Sequence, residues 1–373
     1  MRDNLINNIL FRFDSMAKYL YIKYKDKNIN TDFYKQLYEN HIITFNKCWE
    51  YPGTKTKIDD FFMSFDNLIE NIKKNGFNKQ FCIPLGKNYI IINGMHRLMI
   101  CFYYKINPVF TIDNNKNGDL TYNYDFFINR NNYWRRNNEI YQNLNHIYSD
   151  TMALNLVKID KNMRVMITYP NINDKYDEIE EIINKYGYLY YKKRVKLTQD
   201  GIKNLIKELY RGEKWIGGLF PNGTGGKYEC CKGDNQICLY LIHMYDLNKI
   251  IELKNTCRSI YGLGKHSLHM SDYPTDTFRI SSALLNKNSI HFLNYGTNNI
   301  SDTSKRYLTN YFSKLNNNDS EDHCITSNII LELYNVQNTY NIKDIDKDEI
   351  VYNPKNHFYF NGYKFATLFV ISL

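Results

Sequence analysis

The pentapeptide Asn93-Gly94-Met95-His96-Arg97 places a glycine, an imidazole and a guanidinium close together, a combination suited to holding an anion. It follows the β-branched run Ile90-Ile91-Ile92 and precedes the mostly apolar Leu98, Met99, Cys101 and Phe102. The pattern predicts a buried strand, a tight turn at Gly94 and the start of a helix. A helix start presents unpaired backbone N–H groups and the positive end of the helix dipole, so a phosphate is the natural ligand of Asn93, Gly94, His96 and Arg97. A satisfied core histidine and a surface-paired arginine are the plainer reading of the same two side chains.

Two other places hold residues that could do chemistry. Lys265-His266-Ser267-Leu268-His269-Met270-Ser271-Asp272 reads as a strand running into a helix start. Ligands of a parallel α/β sheet collect at the carboxyl ends of its strands, where His269 would act as general acid or base and Asp272 would orient it or bind a metal. The alternative makes Asp272 and Thr275 helix caps and His269 structural. Further on, the polar turn Thr326-Ser327-Asn328 precedes a helical run from Ile329 to Tyr334 and then Ile342-Lys343-Asp344-Ile345-Asp346. On a strand Asp344 and Asp346 point the same way and could grip one Mg²⁺, with Ser327 near a triphosphate. An ordinary acidic loop is the alternative for Asp344 to Glu349.

The elements that must position these residues follow from periodicity. Ile6, Ile9, Leu10 and Phe13, then Phe61, Phe62, Phe65, Leu68, Ile69 and Ile72, mark helices, the second stopped by Lys73-Lys74-Asn75-Gly76. Val109 to Ile112 is a further strand, and the Asn- and Asp-rich stretch from Asp113 to Asp150 contains a first domain boundary. Beyond it, strands are expected at Arg164 to Tyr169, Tyr188 to Leu197, Gln236 to Met244, Ser267 to Met270 and Ser289 to Leu293. Helices are expected between them, at Tyr176 to Tyr186, Thr198 to Tyr210, Leu247 to Tyr261 and Asp276 to Leu285. Such alternation argues for a mainly parallel α/β layer. The Gly-rich stretch Gly217 to Lys227 is not a Walker loop, because Pro221 stands at its first glycine position and Tyr228 follows the lysine. His357 to Phe360 and Tyr363 to Phe365 pair as a hairpin about Asn361-Gly362.

A chain of 373 residues with 43% apolar content has room for two or three domains with true cores. Its net charge of +9 suits a phosphorylated ligand, whereas polymeric nucleic acid would call for a denser basic stripe than Arg130, Arg135 and Arg136 supply. The start, Met1 to Leu5, lacks an apolar leader core, so a cytoplasmic location and unpaired cysteines are expected. Adjacent Cys230-Cys231 with Cys238 lack zinc-turn spacing, and no apolar run is long enough for a membrane span.

The segment from Phe81 through Asn93-Gly94-Met95-His96-Arg97 to Tyr103 resembles the ParB/sulfiredoxin-like fold, whose G-x-H-R box contacts nucleotide phosphates. Met95 stands where sulfiredoxins carry a reactive cysteine, so the resemblance does not imply sulfinate repair. The segment from Thr326 to Asp346 resembles nucleotidyltransferases related to DNA polymerase β. That likeness implies triphosphate contact by Ser327 and metal binding by Asp344 and Asp346, although Thr326 replaces the usual glycine and a third carboxylate is not evident. The strand–helix alternation and the two resemblances together imply a mixed α/β, overall α+β, chain. Residues 1–125 would be a ParB-like nucleotide-binding domain, 126–300 a central α/β domain and 301–373 a partial nucleotidyltransferase-like module. The expected activity is Mg²⁺-dependent nucleotidyl or phosphoryl transfer from ATP or CTP to a small metabolite or sugar phosphate. A ParB-like small-molecule kinase, or a non-catalytic nucleotide-binding or DNA-associated protein, are the alternatives, and no membrane partner is expected.

Overall fold

The computed structural model describes residues 8–118, 122–134, 139–172, 175–218, 221–297, 300–314, 323–326, 329–335, 349–350 and 353–367. The chain mixes helices with small sheets and divides into two compact units, Met1–Met152 and Ala153–Leu373. The first boundary was expected near residue 125; the division falls within the helix Glu139–Ile159. No described helix is long and apolar enough to cross a membrane, and all eight cysteines are free.

Three helices dominate the first unit: α1 (Ser15–Asp26), α2 (Phe33–Asn46) and α3 (Ile58–Asn75). Phe61, Phe65, Ile69 and Ile72 recur at helical spacing, so α3 buries one stripe and leaves its other faces wet. Asp59 and Asp60 in its first turn and Lys73 and Lys74 in its last complement the dipole, and Gly76, at φ 74°, ends it by donating to the Ile72 carbonyl at 2.9 Å. Strand β1 (Ile83–Gly86) pairs in parallel with β2 (Phe110–Asp113).

The triple isoleucine run does not form the buried ladder strand that its composition suggests. The chain reverses at Lys87 to Tyr89 and runs back along β1, with one antiparallel bridge, Leu85 to Ile91. Gly86 donates to the Ile90 carbonyl and Ile92 to that of Pro84. Only three residues separate the two segments, too few for anything but a hairpin. On the far side Asn8 acts as the missing strand: its Oδ1 accepts from Ile91 N–H at 2.7 Å and its Nδ2 donates to the Tyr89 carbonyl at 3.0 Å. Helix α4 (Met95–Tyr104) then starts at Gly94, and α5 (Tyr124–Trp134) and α6 (Glu139–Ile159) follow β2.

The second unit is built on four strands, β3 (Met163–Thr168), β4 (Gly187–Lys196), β5 (Gln236–Met244) and β6 (Leu268–Met270), in the order β4-β5-β3-β6. Every pairing is antiparallel, which corrects the parallel layer expected from the alternation. Helix α7 (Tyr176–Tyr186) does join two strands of like direction, but β5 inserts between them, so they are never neighbours. The other expected helices are α8 (Gln199–Leu209), α10 (Ile250–Tyr261) and α11 (Pro274–Leu284), with the short α9 (Lys227–Cys231) before β5. Ser289 to Leu293, expected as a strand, lies in α12 (Lys287–Tyr295), because the Asn286 side chain caps Ser289 N–H at 2.9 Å. A short apolar run carries no period long enough to separate the two states.

One face of the sheet packs Met166, Tyr240, Ile242 and Met270 against Ile179 and Ile183 of α7 and Leu253 and Cys257 of α10. A second core joins Phe292 and Leu308, the latter on α13 (Asp302–Lys314), to Ile329 and Ile330 of α14 (Ile329–Leu333) and to the hairpin β9 (His357–Phe360) and β10 (Tyr363–Ala366). Between them come two short strands, β7 (His323–Cys324) and β8 (Glu349–Ile350). The hairpin turns at Asn361 and Gly362, both at positive φ, as its sequence predicts.

Candidate functional site

The first unit encloses a cavity of about 240 Å³ that opens at the N-terminus of α4. Asn93, Gly94, Met95 and His96 form one wall. Gly94 sits at φ 96°, a backbone conformation that favours glycine, and a Cβ there would meet the Arg97 guanidinium at 2.8 Å and displace it. The Asn93 side chain accepts from Gly94 N–H, and the first intrahelical bond runs from Leu98 N–H to the Gly94 carbonyl. The N–H groups of Met95, His96 and Arg97 precede that bond and are therefore the free donors of the helix start.

The lining contributed by the start of α1 and by α2 carries charge that is unusual for an interior. Asp14, 2% exposed, accepts from Arg12 Nε at 2.9 Å and Nη2 at 3.0 Å and from Lys18 Nζ at 2.5 Å. Lys18, 3% exposed, also lies 3.1 Å from His41 Nε2. Arg12, Asp14 and Lys18, counted among the described residues, set two cations against one carboxylate, a net +1 for these three side chains. Burial works against the Asp14 carboxylate, but the charges of Arg12, Lys18 and His41 overcome it and hold its pKa well below the ordinary value. Burial, assisted by the Lys18 charge, pushes His41 well below the usual histidine range.

His96 is the element linking the two parts of the lining. Its Nε2 lies 2.9 Å from the Tyr38 hydroxyl, and the Phe65 ring meets it edge-on at 4.6 Å, so its orientation is set from both sides. Burial, then Lys18 and His41, lowers its pKa well below the ordinary value, leaving a neutral imidazole at neutral pH. At the mouth, Lys55 and Glu50 pair at 2.6 Å, and Asn46 Oδ1 is buried without a hydrogen-bond partner among the described residues. The cavity thus combines free backbone donors, surplus positive charge, a neutral base and the apolar surfaces of Phe45, Phe61 and Leu68.

Of the sequence-predicted residues, Asn93, Gly94 and His96 come together here. Arg97 turns the other way: its Nη1 donates to the carbonyls of Phe81 and, at 3.3 Å, Cys82, tying α4 to the entry of β1. His269 and Asp272 are not joined. His269 packs on Tyr210 with ring centroids 5.0 Å apart, and burial lowers its pKa to about 3. Asp272 pairs with Lys254. An antiparallel sheet has no common carboxyl edge, so the ground for expecting a ligand at β6 disappears. Ser327, Asp344 and Asp346 lie outside the described residues.

Sequence reasoning missed Arg12, Asp14, Lys18 and His41. One signal was present: Asp14 and Lys18 stand four apart amid Phe13, Met16, Ala17 and Leu20, a helical ion pair on an apolar stretch. Among the described residues no group of three or more His, Cys, Asp or Glu is arranged to hold a metal ion. Compared with protein-family models, with curated proteins and with solved structures, the chain matches none.

Proposed function

We propose that the first unit binds a nucleoside triphosphate and passes a phosphoryl group to the hydroxyl of a small metabolite. The observation that carries this reading is the convergence of the α4 N-terminus, the net-positive Arg12, Asp14 and Lys18 cluster and neutral His96 on one cavity. The resemblance of residues 81–103 to the ParB/sulfiredoxin-like fold supports the same placement of phosphate.

The chemistry is positional and electrostatic. Phosphate oxygens accept from the Met95, His96 and Arg97 N–H groups and from the Lys55 ammonium on the cavity lining, and the surplus charge of the cluster offsets the negative charge that spreads over the transferred group. The acceptor oxygen forms the new bond to phosphorus, the bond to the bridging oxygen breaks, and the hydroxyl proton passes to the neutral His96 imidazole. Tyr38 holds that imidazole in place. Asp14 is saturated by three donors and offers nothing to a metal, whereas Glu50 at the mouth has an oxygen to spare. Mg²⁺ arriving with the triphosphate would be held there and would neutralise phosphate charge.

Binding of ATP, CTP, GTP and UTP with Mg²⁺ to the full chain, compared with its Lys55→Ala and His96→Gln variants, tests the reading. ADP as product identifies phosphoryl transfer, and pyrophosphate identifies nucleotidyl transfer, which would direct attention to Ser327, Asp344 and Asp346. Absence of binding by all four nucleotides refutes both.

A further inference from the structure

The second unit holds a separate cavity of about 530 Å³ beside the Gly-rich loop, and its chemistry is independent of the first site. Its central group is Lys227, only 7% exposed. The ammonium donates to the Lys265 carbonyl at 2.5 Å and stands over the rings of Tyr169 at 4.8 Å and Tyr210 at 5.7 Å. Among the described residues no carboxylate pairs with it. Arg258 is near enough for its charge to bear on Lys227, and its Nε is itself buried without a partner. Lys265, His266 and Glu213 line the same cavity, and His266 Nδ1 is buried with no hydrogen-bond partner among the described residues. Buried charge is ordinarily matched by a counter-charge, and here the counter-charge is missing while open space adjoins the cation.

The loop supplies an aromatic wall. Gly217 N–H bonds the Gly223 carbonyl at 3.0 Å, closing the loop on itself. Gly225, at φ 56°, lies so close beneath Trp215 that a Cβ would meet the indole at 2.7 Å. The glycine therefore seats the ring against the loop backbone, and Tyr210 braces it with centroids 4.8 Å apart. Trp215 stays 39% exposed, leaving aromatic surface open beside the ammonium. Lys227 and Lys265 outweigh Glu213 on the lining, so a cationic ligand is disfavoured, while burial and the two lysines lower the His266 pKa and keep that ring from adding charge.

We propose that this cavity binds a small anion carrying a flat ring, with its acidic group on Lys227 and its ring against Trp215. Burial already depresses the Lys227 pKa, in keeping with an ammonium that lacks its counter-ion, and an anion would raise it again.

Calorimetric titration of the full chain with phenyl phosphate, benzoate and inorganic phosphate tests this. Phenyl phosphate and benzoate should bind, and Lys227→Gln should weaken both by at least about tenfold. Trp215→Ala should weaken the two ring-bearing probes while leaving inorganic phosphate at this site within about threefold. Phosphate bound at the first unit would persist in Lys227→Gln, so the two sites are distinguishable. Should Lys227→Gln fail to fold, reductive methylation of the unaltered protein, mapped by mass spectrometry, replaces it: saturating phenyl phosphate should protect Lys227. Affinity unchanged in Lys227→Gln, no protection of Lys227, or no binding of the ring-bearing probes overturns the proposal.

Discussion

Replacing Asp14 by alanine removes the carboxylate that Arg12 and Lys18 share inside the first unit. In the folded protein the carboxylate takes three charge-assisted hydrogen bonds, at 2.9, 3.0 and 2.5 Å, and is almost completely shielded from water. The variant takes from two interior cations the carboxylate they share, and breaking a buried pair in this way costs about 3–5 kcal/mol. Single domains are stable by only about 5–15 kcal/mol, so the loss is a large fraction of the total. Urea unfolding followed by circular dichroism measures it. Asp14→Ala/Lys18→Met, which also deletes one stranded cation, should recover part of the loss. Inorganic phosphate should stabilise Asp14→Ala more than the parent chain, since these side chains then carry a net +2 instead of +1. A cost below about 1 kcal/mol, within the range of a solvent-exposed pair, would refute the reasoning.

Gly94→Ala forces a side chain onto left-handed backbone and into the Arg97 guanidinium; a loss of about 1–2 kcal/mol in urea unfolding and weakened nucleotide binding are expected. Arg97→Ala should lower stability by about 1–3 kcal/mol through its lost bonds to Phe81 and Cys82, yet leave nucleotide affinity nearly unchanged, unlike Lys55→Ala. Because His41 and His96 titrate well below the unfolded value of about 6.5, protons bind the unfolded chain preferentially once pH drops under it, and each histidine then costs up to about 1.4 kcal/mol per pH unit. Stability should therefore be flat above that pH and fall below it, and His41→Gln/His96→Gln should flatten the profile. Asp14 has the opposite shift relative to its charged form: its contribution is complete above about pH 4 and disappears as pH falls through its lowered folded value, which acid titration of the parent against Asp14→Ala will show.

Local signals in the sequence are legible where one residue decides the backbone. Gly76 ends α3, Asn361-Gly362 turns the last hairpin, and Gly94 breaks the chain before α4. Long amphipathic segments such as α7 and α8 are legible for the same reason, since their apolar faces repeat over several turns. Strand order is not, because the alternation of strands with helices carries no record that β5 would insert between β3 and β4. The site divides along the same line. Its glycine-centred half, Asn93, Gly94 and His96, is contiguous and can be read. The other half, Arg12, Asp14, Lys18 and His41, comes from the start of α1 and from α2, more than fifty residues before Asn93, and its meaning arises only from burial together. Arg97 shows the limit from the other side: its type suits an anion, but its direction is set by the carbonyls within its reach.

Equilibrium binding of Mg²⁺-ATP and Mg²⁺-CTP to the full chain, read beside Lys55→Ala and with Arg97→Ala as a folded control, decides whether the first unit is a nucleotide site. Saturable binding of at least one nucleotide, weakened by about tenfold or more in Lys55→Ala and retained in Arg97→Ala, is the expected result. Binding by neither nucleotide, or binding indifferent to Lys55, would contradict it.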